Sequence, residues 1–352
     1  MASVREKLLV WFDREGRDLP WRRTRDPYAI WVSEVMLQQT RVDTVIPYYE
    51  RFLSSFPTIE ALAEADEDAV LSHWSGLGYY RRARLLHRGV REVVAEYGSA
   101  VPEDAEARRG LPGVGRYTAG AIGSIAFDKE EPVVDGNVSR VLSRLFRIDT
   151  PLGTTKTTNR FWDEAARLVL GERPGDLNQA LMELGARICT PKNPRCQSCP
   201  VSADCKALGH DEVDRLPVKR ARKAPKQVEL AAVVATRGRG TDRKVWLIKG
   251  DQPLFGGLWG VPMAEGSPRK ALVEASLEAR LRPEPIGQVD HVLTHRRLRI
   301  AVFLASAAKG IESKNGQLFT SASLQRVGVS TLTRKILGAS VGAAGWGAWV
   351  HT

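Results

Sequence analysis

A chain of 352 residues is long for one domain and has room for two. No apolar run approaches the roughly 18 residues of a membrane-spanning helix, and the opening stretch MASVREKLLVWFDREGR has charges every few residues instead of a signal-peptide core. The expectation is a globular, non-secreted, cytoplasmic protein (nucleoid-associated if bacterial) without a membrane partner.

The net charge of +11 is unevenly placed. Residues 1–216 carry 30 basic and 32 acidic residues, residues 217–226 (PVKRARKAPK) carry five basic and no acidic ones, and residues 227–352 carry 17 basic against nine acidic. The excess therefore lies in a connector and in the C-terminal part. A polyanion such as nucleic acid fits this pattern, and so does a linker kept soluble by its charge.

In chain order, residues 1–200 read as helices. The segment PYAIWVSEVMLQQTRVDTVIPYYERFLSSF has apolar residues at helical spacing. DEDAVLSHWSGLG follows acids suited to a helix start, and RRARLLHRGVREVVAEYG is amphipathic with a glycine where a C-cap belongs. TAGAIGSIAF, GNVSRVLSRLFRI, NRFWDEAARLVLG and DLNQALMELGARIC continue the series. Beyond the connector the texture changes. VELAAVVATRG, KVWLIKG and LRIAVFLASA read as strands, and RKALVEASLEARLR reads as one helix between them. This predicts a second domain, α+β or α/β, over 227–337, followed by a Gly/Ala-rich tail over 338–352.

Three features carry chemistry. In LPGVGRYTAG, Pro112 and Gly113 end one helix and Gly115 lets the next begin at once. Exposed N–H groups at a helix start attract phosphate, although a plain helical hairpin would use the same residues, and no P-loop Gly-Lys-Ser/Thr follows. The four cysteines Cys189, Cys196, Cys199 and Cys205 fall in one window with spacing x6, x2 and x5. Disulfides do not suit a non-secreted chain, and the set is compatible with an iron–sulfur cube or with zinc. Glu34, with Ile30, Trp31 and Leu37 as helical neighbours, is either a solvent-facing helix residue or a desolvated acid that holds its proton near neutrality.

LPGVG, with Asp135 in VVDGNVSRVLSRL about twenty residues on, resembles the hairpin and active-site aspartate of the helix–hairpin–helix DNA glycosylases. The cysteine pattern resembles the [4Fe–4S] loop of the endonuclease III and MutY branch. LPWRRTRDPYAIWVSEVMLQQTRVDTVIPYYERF and HWSGLGYYRRARLLH closely resemble the MutY family, and the likeness spans roughly residues 5–215, with a weaker continuation. It implies a mainly α catalytic domain over 1–216 holding a [4Fe–4S] cluster on the four cysteines of loop 189–205. The basic connector 217–226 then leads to a smaller α/β Nudix (MutT)-like domain.

The implied activity is removal of adenine mispaired with 8-oxoguanine or guanine in duplex DNA, by a monomer. Glu34 becomes the general acid, and Asp135 the carboxylate facing the sugar, a role compatible with capping the helix that starts near Asn137. Tyr117 and Asn137 support Asp135. Tyr117 stands where the endonuclease III branch has its Schiff-base lysine, which implies a hydrolytic enzyme without lyase activity. Leu111, Gly113 and Gly115 form the phosphate-binding hairpin, Gln39 and Tyr79 match intercalating and wedging residues, and Arg22 and Glu183 match positions lining the adenine pocket.

GGLWGVPM resembles a Nudix turn, but RKALVEASLEARL has only Glu274 and Glu278 and lacks the glutamate-rich helix of a pyrophosphatase. Where the family commonly reads Phe-Ser-His to recognise 8-oxoguanine, this chain has Leu293, Thr294 and His295, so the hydroxyl and imidazole are kept and the aromatic is lost. Three rivals are a lyase of the endonuclease III type, disfavoured by Tyr117 and the extra domain, a non-catalytic iron–sulfur DNA-binding or redox-sensing protein, disfavoured by Glu34 and Asp135, and a Nudix nucleotide hydrolase, disfavoured by the missing glutamate helix.

Overall fold

The computed structural model describes residues 3–220, 225–238, 242–250, 256–293, 295–308 and 315–340. Thr294, part of the connector (221–224) and most of the tail (341–352) lie outside the described residues. The chain divides into two compact units, residues 1–63 with 88–222 and residues 64–87 with 223–352.

The chain up to the connector is helical. Helix α1 (Val4–Glu15) begins with a capping box in which Ser3 and Glu6 satisfy each other's backbone N–H. A short 3-10 turn (Pro20–Arg22) leads to α2 (Pro27–Leu37) and α3 (Val42–Ser55). The helical stretch read over 27–56 is thus two helices. A turn at Gln38–Thr40 separates them, with Gln39 in the left-handed region at φ 57°. Then follow α4 (Ile59–Glu64), α5 (Glu67–His73), α6 (Arg81–Glu96) and α7 (Ala105–Gly110). Helices α8 (Arg116–Phe127), α9 (Gly136–Leu145), α10 (Thr155–Val169) and α11 (Pro174–Arg187) complete the bundle, and two 3-10 turns and α12 (Lys206–Gly209) carry the cysteine segment. Leu8 and Trp11 of α1, Val138, Val141 and Leu142 of α9, Phe161 of α10 and Leu177, Leu181 and Leu184 of α11 form one core, with Cys189, Cys199 and Cys205 packed against it. No described helix is long and apolar enough to cross a membrane.

The second unit is built on a mixed sheet. Its strands are β1 (Lys226–Arg237), β2 (Lys244–Lys249), β3 (Trp259–Gly260), β4 (Met263–Glu265), β5 (Ala279–Val292), β6 (Arg296–Ala307) and β7 (Gly316–Phe319). The order is β3-β2-β1-β6-β5, with β4 paired to β1 and β7 to β2; β1 and β6 are parallel, the other pairs antiparallel. Helix α13 (Pro268–Glu274) packs on one face, and α14 (Ser321–Leu324) and α15 (Thr331–Ala339) on the other. Along β1, Ala232 and Val234 enter one core while Val233 and Ala235 enter the other, so the central strand is apolar on both faces.

The helix read over 269–282 is shorter than the sequence implies. It stops at Glu274, Ser276 turns left-handed at φ 50°, and the remainder begins β5. Pro283 and Pro285 are tolerated because β5 is the sheet edge and is irregular there.

Helices α9 and α11 approach closely at Gly185, where an added Cβ would lie 2.7 Å from the Cβ of Asn137 and 3.0 Å from its backbone. Gly185→Ala is therefore expected to destabilise the helical unit by about 2 kcal/mol through overpacking, read as a melting temperature lower by several degrees.

Candidate active site

Helix α2 explains why Glu34 is dry. Asp26 starts the helix by accepting bonds from Tyr28 N and Ala29 N at 3.1 and 3.2 Å, and Pro27 fills the first helical position. Every residue from Tyr28 to Met36 is buried, so the helix has no solvent face. Glu34, its one charged residue, is 4% exposed. Burial raises its pKa, the nearby charge of Asp135 adds to the rise, and the Tyr117 hydrogen bond and Arg22 oppose it, leaving it at about 7.

The tyrosine after the LPGVG hairpin provides that bond. Tyr117 lies in the first turn of α8 and its Oη donates to Glu34 Oε2 at 2.6 Å. Asp135 is the N-cap of α9, where its Oδ1 accepts from Val138 N at 2.7 Å and its Oδ2 from Asn137 Nδ2 at 3.2 Å. It also lines the same cavity as Glu34, so capping and facing the cavity coexist in one residue. Burial pushes the Asp135 carboxyl up, and the backbone N–H groups of the α9 start pull it part of the way back.

The cavity measures about 160 Å³, on the scale of the ~150 Å³ cavity that accepts a benzene ring. Glu34, Tyr117, Asp135, Asn137, Arg22 and Glu183 all line it. Sequence reasoning missed Arg17, Gln179 and Met182, which line it too. Gln179 and Glu183 are four residues apart on α11 and share a face, which is the one signal that pointed to Gln179. Arg17 binds Glu183 through Nε at 2.8 Å and Nη2 at 2.9 Å, and Arg22 adds a bond at 3.0 Å while its Nε reaches Gln179 Oε1 at 3.2 Å. Burial alone would raise the Glu183 carboxyl, but the two arginines outweigh it and hold it below the usual range.

The remaining sequence candidates lie outside this lining. Leu111 is buried, while Gly113, at φ 79°, and Gly115, the N-cap of α8, are exposed in the hairpin. Gln39 and Tyr79 are exposed and left-handed, at φ 57° and 48°. His295 is exposed in the β5–β6 turn, Leu293 packs partly on the sheet core, and Thr294 is outside the described residues.

All four cysteines line a second cavity of about 30 Å³, together with Ile188, Leu208, Val213 and Arg144. Among the described residues no three His, Cys, Asp or Glu side chains group to grip a metal ion. Four sulfurs around one cavity nevertheless suit an iron–sulfur group by the softness of the donor set. Arg144 Nη1 lies 3.3 Å from Cys189 Sγ. One turn earlier on α9, Arg140 donates to Cys189 O at 2.7 Å and to Asn137 Oδ1 at 2.9 Å, joining the cysteine segment to the Asp135 wall.

Residues 32–167 match the HhH-GPD superfamily of base excision DNA repair proteins, and residues 233–339 match the NUDIX domain. The adenine DNA glycosylase of Rattus norvegicus is 39% identical over 86% of this chain and 70% of its own length, and that of Homo sapiens is 38% identical over 86% and 67%. The chain belongs to the MutY family of adenine DNA glycosylases. A solved thermostable thymine-DNA glycosylase is 32% identical, with a TM-score of 0.54, over 58% of this chain and 95% of that one. The helical glycosylase domain followed by a smaller Nudix-like one is the fold expected from the sequence.

Expectations follow for this adenine glycosylase in two areas, of which the first is activity. Glu34 acting as an acid must be protonated, so single-turnover adenine release should hold below about pH 7 and fall about tenfold per unit above it. Tyr117→Phe removes a bond that favours the charged carboxylate, so the falling limb of the pH profile should move to higher pH.

The second concerns stability. The Glu34 pKa is higher folded than unfolded, so its ionisation opposes folding progressively from about pH 4.5 to 7 and fully above. Glu34→Gln should therefore raise the melting temperature at pH 8 and change it little at pH 5.

Proposed function

We propose that this glycosylase hydrolyses the N-glycosidic bond of adenine paired with 8-oxoguanine or guanine in duplex DNA, without lyase chemistry, and leaves an abasic site. The observation that carries the reading is the Tyr117–Glu34 hydrogen bond beside Asp135, in a cavity sized for one flipped base. Glu34, with its pKa raised to about 7, keeps a substantial protonated fraction at neutral pH, and that form delivers its proton to an imidazole nitrogen of the leaving adenine. Asp135, fixed by Val138 N–H and the Asn137 amide, stabilises the positive charge that develops on the sugar. Water completes the displacement, with Glu34 now the base. Tyr117 offers a phenol where a lyase needs an amine, so no Schiff base forms.

Around this centre, Arg22 and Glu183 contact the adenine edge, Gln39 and Tyr79 fill the stack, and the Leu111–Gly115 hairpin takes a backbone phosphate. Thr294 and His295 meet the opposite base. Cys189, Cys196, Cys199 and Cys205 hold a [4Fe–4S] cluster, which when bound crosslinks the segment from 189 to 205 and carries no step of the hydrolysis.

The test is a single-turnover assay on duplexes with adenine opposite 8-oxoguanine or guanine, run with and without alkali. Strand breaks are expected only after alkali, and Glu34→Gln should abolish them. Breaks without alkali would reveal a lyase nucleophile, and binding without cleavage would reduce the chain to a DNA-binding protein.

A further inference from the structure

Of the adjacent tyrosines in GLGYY, Tyr79 is 48% exposed and Tyr80 is 7% exposed. The difference follows from what holds Tyr80. Its Oη donates to Val329 O at 3.1 Å and accepts from Gly76 N at 3.2 Å, so one hydroxyl ties the start of its own loop to the segment between α14 and α15. Ser75 Oγ donates to the same Val329 carbonyl at 3.2 Å, and Ser72 Oγ to Gln325 O at 3.1 Å. Gly328 lets α5 sit this close, because a Cβ there would fall 2.6 Å from Leu71 Cβ. On the far side, Trp259 N bonds Gly328 O at 2.9 Å and Trp259 pairs with Val329, linking this segment to the sheet core. Residues 64–87 therefore form one compact unit with the Nudix-like domain.

We infer that Tyr80 is a positioning residue through which the Nudix-like domain sets the pose of Tyr79. The loop from Gly76 to Tyr79 has three left-handed residues, with φ 109° at Gly76, 70° at Gly78 and 48° at Tyr79. A tyrosine in that region is held there by its surroundings. The Tyr80 clamp closes the loop on one side, and Trp74 Nε1 and Arg82 Nη2, both bonded to Gly78 O at 3.2 Å, close it on the other. Tyr79 is thereby presented to solvent on a loop bonded to the Nudix-like domain, the one proposed above to meet the opposite base. The inference rests on the reading of Tyr79 as a wedge.

The test compares wild type, Tyr80→Phe, Tyr79→Ser and the double variant, all as full-length chains. Amide exchange over residues 76–82 and the melting temperature are measured on the free protein. Single-turnover excision, and the fluorescence of a 2-aminopurine beside the mispair, are measured on A:G and A:8-oxoguanine duplexes. Tyr80→Phe should raise exchange in the loop with little change in melting temperature and slow excision from A:G about fivefold, the scale of one lost hydrogen bond. The double variant should be no slower than Tyr79→Ser. Additive slowing, or unchanged loop exchange, would overturn the inference. If Tyr79→Ser matches wild type in rate and fluorescence, the wedge reading fails instead, and the clamp stands or falls on the exchange data. Gly328→Ala, which displaces α5 from the same segment, should reproduce the exchange signature of Tyr80→Phe.

Discussion

The site depends on one carboxyl group being buried with a tyrosine hydroxyl as its hydrogen-bond donor. Glu34 sits on an apolar helix, and among the described residues the hydrogen bond seen to its carboxyl is the one donated by the Tyr117 hydroxyl to Oε2. That scarcity of donors is the point. A carboxylate given two or three N–H partners ionises far below neutrality and has no proton to deliver. The packing around α2 therefore shifts the titration of Glu34 toward neutrality as well as shaping the structure. The tyrosine hydrogen bond opposes the effect of burial and leaves the Glu34 pKa at about 7, the range in which a general acid works best at neutral pH.

Glu183, on the same cavity, shows the opposite arrangement. It is as buried as Glu34, but Arg17 grips it through two nitrogens and Arg22 through a third. Two carboxyls lining one small cavity are driven in opposite directions by their donors: one toward holding a proton, one toward permanent charge. Such divergence marks a division of labour between acid and acceptor. A base that carries both an exocyclic amine and a basic ring nitrogen, as adenine does, complements that pair.

Helix α9 carries the other half of the site. Asp135 caps it, Asn137 steadies Asp135, and Arg140 and Arg144 follow at intervals of one turn, reaching the backbone of the cysteine segment at Cys189 and Thr190. A displacement of that segment would pull on Arg140 and through it on Asn137, whose backbone is already pressed against Gly185. Arg140 and Arg144 thus couple the cysteine segment to the helix that Asp135 caps.

Much of this was legible in the sequence because it is local. The hairpin glycines, the cysteine spacing and the Asp135 cap each lie within a few consecutive residues. Glu34 was readable as an acid only in part: its apolar neighbours suggested burial, but only the tertiary packing of α2 shows that no face of the helix meets water. Arg17 and Gln179 were missed because their roles arise from partners about 160 residues apart in the chain. The break between α2 and α3 was hidden by an apolar pattern that runs across it, and the early end of α13 by a helix-forming composition that the edge strand overrides. The tyrosine pair shows the limit most clearly. Two identical residues in adjacent positions have identical propensity and hydropathy, so nothing local distinguishes them. What separates an exposed Tyr79 from a clamped Tyr80 is a carbonyl at Val329, 249 residues further along the chain.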